Sequence, residues 1–194
     1  MTTVKTQDPL DELDHENEIA EELIEHLAGS AIGLKAGRDL PPEEIAEGLR
    51  LLEQYRHVHA GRVDDDLNPE ARPVAMDACF EHLDTIAGDH RTEGDLFDRT
   101  RKSLQDFVSD PEGARTHLSE ALTELTEKER QNLAYENDYP LSCLRVALPD
   151  EGAARVAAAF RRTDPEIADL EGHIERYLGH APGAPAHALA VRSA

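Results

Sequence analysis

Histidines and carboxylates lie on the inward faces of helical segments, where a packed core would otherwise be apolar. The stretch YRHVHAGRVDDDLNP, residues 55–69, places His59 on a helical apolar stripe and follows it with Asp64. Further along, Glu129 and Glu136 are seven residues apart, so on a helix they share one face. Imidazole and carboxylate side chains from facing helices are the donors with which helical bundles hold iron or manganese. These positions therefore predict a metal site.

Three further histidines are candidates for the same site. His15 shares an apolar stripe of the first helical segment, and His82 and His90 lie on or beside one face of the third. At a rise of about 1.5 Å per residue, either His82 or His90 could reach the level of His59 along a bundle. The sequence leaves the choice between these two open.

The same residues have less specific interpretations. A single histidine on a helix stripe is more often a core or boundary residue than a ligand. The run Asp64–Asp66 is most often a solvated helix end, although acids there oppose the helix dipole and invite a cation or a basic partner. Tyr135 and Tyr139 are most simply read as core residues, while redox chemistry stays open for them. The histidines predicted to lie on the surface or in the tail are His26, His57, His117, His173, His180 and His187.

Helices must position all of these groups, because helical periodicity dominates and no window has the alternation of a strand. The first helix opens after Asp8-Pro9, and the segment KAGRDLPP ends it. The second begins at Pro42, the third runs over about 74–108, and the fourth follows SDPEG. Past Pro140 two shorter helical pieces are predicted, with breaks at Pro149 and at Asp164-Pro165.

Four long amphipathic helices with short joins predict an all-α fold: an up-down-up-down four-helix bundle with additional short C-terminal helices. We expect one domain over residues 8–179. Residues 180–194 are rich in Pro, Ala and Gly and are expected to form a flexible C-terminal tail. The second and fourth helices end alike, in DDDLNP and ENDYP.

The composition is strongly acidic, with a formal net charge of −21. This charge argues against nucleic acid or an anionic membrane surface as a partner, and no apolar run approaches the roughly 20 residues of a membrane span. The N-terminal segment has no signal-peptide core, and the two cysteines, Cys79 and Cys143, are too few for a disulfide framework. Reduced core thiols and a cytoplasmic location are therefore predicted, and a homodimer stays open.

Four segments, taken in order, resemble the hemerythrin-like family, also called the HHE cation-binding domain. They are DPLDELDHENEI, HAGRVDDDLNP, DHRTEGDLFDRTRKSL and RQNLAYENDYPLSCLRVALP, and the resemblance covers about residues 8–160. In that family a pair of His-x-x-x-Glu motifs on the second and fourth helices supplies the carboxylates that bridge two irons. His59 matches the first of these histidines.

The chain departs from the family pattern at the other motif positions. Val63 stands where the first bridging glutamate belongs, and Arg130 and Ala134 stand at the histidine and glutamate positions of the fourth helix. Asp64 could compensate if the second helix is locally over- or underwound. Glu129 or Glu136 could supply the fourth-helix ligands from neighbouring turns. Otherwise Arg130 could form a buried ion pair with a carboxylate and replace the metal electrostatically.

Two functions follow as expectations. The resemblance implies a cytoplasmic non-haem iron protein, with one or two ions, that binds or reacts with dioxygen, peroxide or nitric oxide and could oxidise a small substrate. Its expected metal ligands are His15, His59, Asp64, His82 or His90, Glu129 and Glu136. The departures imply the alternative, a metal-free degenerate bundle that acts as a binding or regulatory module.

Overall fold

The computed structural model of the chain describes residues 8–74 and 77–180, without the side chains of residues 77–80, 91, 92 and 180. Every regular element in these ranges is helical, which confirms the all-α prediction. No helix among them is both long and apolar enough to cross a membrane. The elements are α1 (Pro9–Lys35), α2 (Pro42–Gly61), the π-helical segment π1 (Arg62–Leu67), α3 (Asn68–Ala71), α4 (Asp77–Ser109), α5 (Arg115–Glu136), the π-helical segment π2 (Asn137–Leu141), α6 (Ser142–Ala147), α7 (Asp150–Phe160) and α8 (Asp164–His180).

Local signals explain where the long helices begin and end. The Asp8 side chain accepts a hydrogen bond from the backbone N–H of Leu10 at 3.0 Å, and Pro9 occupies the first turn of α1. After α1 the chain turns at Gly37, whose φ of +76° is accessible to glycine at little cost. α2 begins at Pro42, as predicted. Beyond α5 and π2 the chain forms α6, α7 and α8, three pieces where the sequence predicted two.

The helices pack around two apolar clusters. α1 packs against α2 and α5, α4 packs against the same two helices, and α8 lies on α1 and α2. The larger cluster includes Leu23, Leu52, Phe97 and Leu122, and most of the predicted apolar stripes are buried in it. The smaller cluster is formed by residues of α1, π1, α3, α4, π2, α6 and α7.

Buried polar residues lie where the two clusters meet. On α1, for example, Glu16 and Asn17 lie between Leu13 of the smaller cluster and Ala20 of the larger one. We call the following set the polar layer: Glu16, Asn17, Arg56, His59, Arg62, Glu93, Glu129, Asn132 and Glu136, all of them buried.

Two π-helical segments continue the helices beyond this layer. π1 follows α2 directly and π2 follows α5, without an intervening loop. They fall on the two similar helix ends, DDDLNP and ENDYP, that the sequence displays. A π-helical turn is underwound and shifts the faces of the residues that follow it. Of the two local distortions that could turn Asp64 inward, over- or underwinding of the second helix, the structure contains underwinding, at Arg62–Leu67.

The cysteine prediction is wrong for Cys143. This residue, in α6, is disulfide-bonded and not a reduced core thiol. The side chain of Cys79, the other cysteine in the sequence, lies outside the described part of the chain.

Candidate functional site

The guanidinium of Arg56 occupies the centre of the polar layer and is only 2% exposed. Its Nη2 lies 3.3 Å from Oε1 of Glu93, its Nε 3.2 Å from Oε2 of Glu129, and its Nη1 3.8 Å from Oε2 of Glu136. Glu93 also accepts a hydrogen bond from Nδ2 of Asn132 at 3.0 Å. One permanent cation therefore contacts three buried carboxylates that come from two neighbouring helices, α4 and α5.

His59, one turn further along α2, bridges α1 and α5. Its Nε2 lies 2.8 Å from Oε1 of Glu136, and its Nδ1 lies 2.8 Å from Oε2 of Glu16. A protonated imidazole donates from both ring nitrogens, which matches a carboxylate on each side. The contacts join α1, α2 and α5 through one ring.

Arg62, at the start of π1, completes the layer towards α8. Its Nη1 donates to Glu16, its Nε to the hydroxyl of Thr163 at 2.7 Å, and its Nη2 to Asp164 at 2.6 Å and to the backbone oxygen of Phe160 at 3.1 Å. The guanidinium also lies 4.7 Å from the centre of the Phe160 ring. Arg62 thus pairs with α1 and with the connection between α7 and α8.

His90 connects the layer with a surface cavity. Its side chain is 5% exposed, its Nδ1 lies 3.2 Å from Oδ2 of Asp64, and its ring centre is 6.4 Å from that of His59. Its Nε2 is buried and has no hydrogen-bond partner among the described residues. The adjoining cavity has a volume of about 570 Å³ and is lined by His57, Val58, Ala60, Gly61, Asp64, Asp65, Asp66, His90, Arg162, Thr163 and Glu166.

The electrostatics of the layer favour an imidazolium at its centre. Burial opposes protonation of His59, but the carboxylates of Glu136 and Glu16 outweigh it and raise the pKa of His59 to about 9. Burial likewise opposes ionisation of Glu136, but His59 and Arg56 outweigh it and lower the pKa of Glu136 to about 2. Glu129 differs, because burial dominates over its attraction to Arg56 and raises its pKa to about 7.

The structure brings together most, but not all, of the predicted site residues. His59, Glu129 and Glu136 belong to the polar layer, and Asp64 joins it through His90. Of the two third-helix histidines, His90 is therefore the one that faces His59.

His15 and His82 lie apart from this group. His15 is 44% exposed, and its ring nitrogens lie near Glu18 and Glu171. The Nδ1 of His82 lies 2.6 Å from the hydroxyl of Tyr135, in a separate aromatic cluster. The hydrogen-bond and ion-pair partners of these two histidines lie outside the polar layer, so the geometry does not support their assignment to the same site as His59.

Arg130 does not have the role that the sequence suggested. It is 42% exposed and pairs with Glu25 at 2.7 Å on the surface. The buried arginine that neutralises Glu129 and Glu136 is Arg56, which sequence reasoning missed. The signal was present, since Arg56 falls four residues after Leu52 and three before His59 on the α2 stripe.

The imidazole and carboxylate groups of the polar layer are suitable ligands for iron, but they are not arranged around a metal position. No group of three or more histidine, cysteine, aspartate or glutamate side chains in residues 8–74 and 77–180 is arranged to hold a metal ion. Arg56 instead contacts three of the carboxylates that an ion would need. A guanidinium stays protonated in proteins and cannot ligate a cation, so the observed arrangement is that of a charge-compensated layer.

Comparisons of the chain with protein-family models, curated proteins and solved structures returned no match. The hemerythrin-like resemblance therefore stays a prediction from the quoted segments.

Proposed function

We propose that this chain is a degenerate hemerythrin-like, up-down-up-down four-helix bundle that works without a metal, as a binding or regulatory module. The observation that carries the proposal is the buried guanidinium of Arg56, in contact with Glu93, Glu129 and Glu136. It supplies the positive charge that a metal ion would otherwise bring to these carboxylates.

The charge balance of the layer supports this function. Its ionisable members are four glutamates and three cationic groups: Glu16, Glu93, Glu129, Glu136, Arg56, Arg62 and protonated His59. Fully ionised, these seven groups carry one net negative charge, and a pKa near 7 for Glu129 roughly halves that charge at neutral pH. A divalent cation would add two positive charges to this nearly neutral interior. It would also have to displace Arg56, and stranding a buried charge is costly.

The cavity beside π1 is the approach to the layer that we propose for a ligand. Asp64, Asp65, Asp66 and Glu166 contribute carboxylates to its walls, against one arginine, Arg162. The Arg162 Nη2 is already paired with Asp66 at 2.6 Å. This lining favours a cationic over an anionic ligand, and the bound group would lie next to His90.

Metal analysis tests the metal-free proposal directly. The untagged protein, purified after expression in iron-replete medium, should contain less than about 0.1 equivalent of metal per chain, because sites of this type otherwise fill near stoichiometry. Its Tm should not change with a chelator, whereas a metal bound only to the folded state would raise the Tm. One or two equivalents of iron together with a lower Tm after chelation would overturn the proposal.

A second candidate function rests on His90. The Nε2 of His90 is buried and has no hydrogen-bond partner among the described residues, and the His90 ring faces His59. Such a nitrogen is a candidate metal ligand, because buried polar atoms normally have a partner. This favours the iron protein that reacts with a small oxidant. In that case His59→Ala should lower the metal content at least ~10-fold, while His57→Ala, on the outer face of α2, should leave it unchanged.

The location of the protein bears on both candidates. Disulfides persist mainly outside the reducing cytosol. The disulfide at Cys143 therefore weighs against the cytoplasmic location expected from the sequence.

A further inference from the structure

Three aromatic side chains form a second polar cluster, apart from the layer around Arg56. The Nδ1 of His82, in α4, lies 2.6 Å from the hydroxyl of Tyr135, in α5. The ring of Tyr139, in π2, stacks on His82 with centres 5.0 Å apart and planes 20° apart, and it lies 5.0 Å from the ring of Tyr135. We call these three residues the tyrosine–histidine cluster.

We propose that Tyr135 is a redox-active tyrosine, which gives one electron to a small diffusible radical while its phenolic proton moves to His82. The O–H bond of Tyr135 breaks and an N–H bond forms at Nδ1 of His82. The radical oxidant gains the electron, and the products are a neutral tyrosyl radical, an imidazolium and the reduced oxidant. Charge and atoms balance without any further reactant.

The hydrogen bond is what makes this oxidation accessible near neutral pH. Loss of an electron turns a phenol into a strong acid, so oxidation is easiest when the proton has an acceptor at hand. A base must lie within about 2.6–3.2 Å of the proton that it takes, and Nδ1 of His82 meets this condition. The imidazole can also return the proton to Tyr135 when the radical is reduced, because the two atoms stay within hydrogen-bond distance.

Tyr139 provides the route to solvent. It is 50% exposed, whereas Tyr135 is only partly exposed and packs against the smaller apolar cluster. A radical in solution can therefore take an electron at Tyr139, whose phenolic proton passes to water. Tyr135 then returns the electron across the 5.0 Å between the two ring centres, and Tyr139 regains a proton from water. The core interpretation of Tyr139 from the sequence is wrong, because half of its surface faces solvent.

The other two tyrosines of the chain lack this arrangement and serve as internal controls. The Tyr55 hydroxyl lies 3.4 Å from a carboxylate oxygen of Glu171, and the Tyr177 hydroxyl donates to the backbone oxygen of Glu44 at 3.0 Å. The Tyr177 ring does contact His26, but edge-on and not through its hydroxyl. The chain has no tryptophan, so a protein radical formed on an aromatic ring can be assigned among four tyrosines.

Pulse radiolysis of the full chain with azide radical as the oxidant tests the proposal. The tyrosyl radical is followed by its optical absorption and its EPR spectrum at pH 7. Tyr135→Phe should lower the yield of the long-lived radical at least ~5-fold. His82→Phe preserves ring stacking but removes the base, and it should slow formation of the Tyr135 radical about 100-fold or more, since 100-fold is the lower end of the range for loss of a general base. Tyr55→Phe and Tyr177→Phe should match the unsubstituted protein.

A variant that keeps a hydrogen-bond acceptor separates proton acceptance from a merely structural role of His82. His82→Gln, which offers a hydrogen-bond acceptor but no base, should resemble His82→Phe at pH 7. Equal rates in the His82 variants and the unsubstituted protein at pH 7, or an undiminished radical in Tyr135→Phe, would overturn the proposal.

Discussion

Substitution of Arg56 by methionine removes the cation from the centre of the polar layer and preserves most of the volume of its stem. Glu93, Glu129 and Glu136 then stay buried, and Glu93 and Glu129 are left without their contact to a cation. Breaking a buried ion pair by removal of one partner costs about 3–5 kcal/mol. With a urea m-value of about 2 kcal/mol/M, this corresponds to a fall of roughly 1.5–2.5 M in the unfolding midpoint.

The assay is urea unfolding followed by circular dichroism, with Arg130→Met as the matched control. Arg130 is half-exposed and pairs with Glu25, so its removal should cost less than about 1 kcal/mol. The double variant Arg56→Met/Glu93→Gln should recover stability relative to Arg56→Met, because Glu93 loses its contact with the Arg56 cation and the amide removes that stranded charge. A loss in Arg56→Met no larger than that in Arg130→Met would refute the reasoning that the layer depends on this cation.

Three further predictions follow from the same geometry and from the disulfide. His59→Ala should lower the free energy of unfolding by more than ~2 kcal/mol because it leaves the Glu136 carboxylate without its imidazolium, while His57→Ala, on the exposed face of α2, should change it by less than ~0.5 kcal/mol in the same urea assay. Because the pKa of His59 is raised, its contribution to the free energy of unfolding is complete below pH 6.5 and is lost as the pH rises to 9, by at most about 3 kcal/mol at 1.36 kcal/mol per pKa unit. The raised pKa of Glu129 likewise lowers the free energy of unfolding as the pH rises from 4.5 to 7. The lowered pKa of Glu136 reduces stability only as the pH falls from 4.5 towards 2. The difference in urea midpoint between the unsubstituted protein and His59→Ala should therefore become smaller between pH 6.5 and pH 9. A difference that stays constant over this range would contradict the assignment. Since Cys143 is disulfide-bonded, thiol titration of the denatured protein should find fewer than about 0.2 free thiols per chain before reduction and two free thiols per chain after reduction. Two free thiols before reduction would show that the disulfide does not form.

The helices and their buried faces could be predicted because periodicity is a local property of the sequence. Ile45, Leu49 and Leu52 repeat at helical spacing, and all three are buried on α2. His15 shows the limit of this reasoning: it lies at the edge of the α1 stripe, where Glu16 and not His15 turns fully inward. A shift of one residue, about 100° around the helix, separates the two.

The polar layer could be predicted only in part, because its meaning depends on distant partners. The positions of His59, Glu129 and Glu136 on core stripes were visible in the sequence, and all three are buried. Arg56 is on the same stripe as His59, but a long basic side chain usually reaches the surface from such a position. Only the three-dimensional arrangement brings it to carboxylates of α4 and α5.

A buried ionic layer is a poor source of stability, so its place in this fold needs another explanation. Well-packed apolar residues of similar volume would usually stabilise a core as well or better, because desolvation of the charges offsets much of their attraction. What the layer supplies is register: Glu16 of α1, His59 of α2 and Glu136 of α5 meet only when these helices stand at one relative height. A slip of α5 by one turn, about 5.4 Å, would separate Glu136 from both His59 and Arg56 and leave its carboxylate buried and unpaired. The apolar clusters on either side tolerate such a slip far better, since leucine packs against leucine in many registers. The apolar stripes alone would allow several alignments of the helices with similar free energy, and the buried charges select one of them. The same alignment holds His90 and Asp64 against the surface cavity.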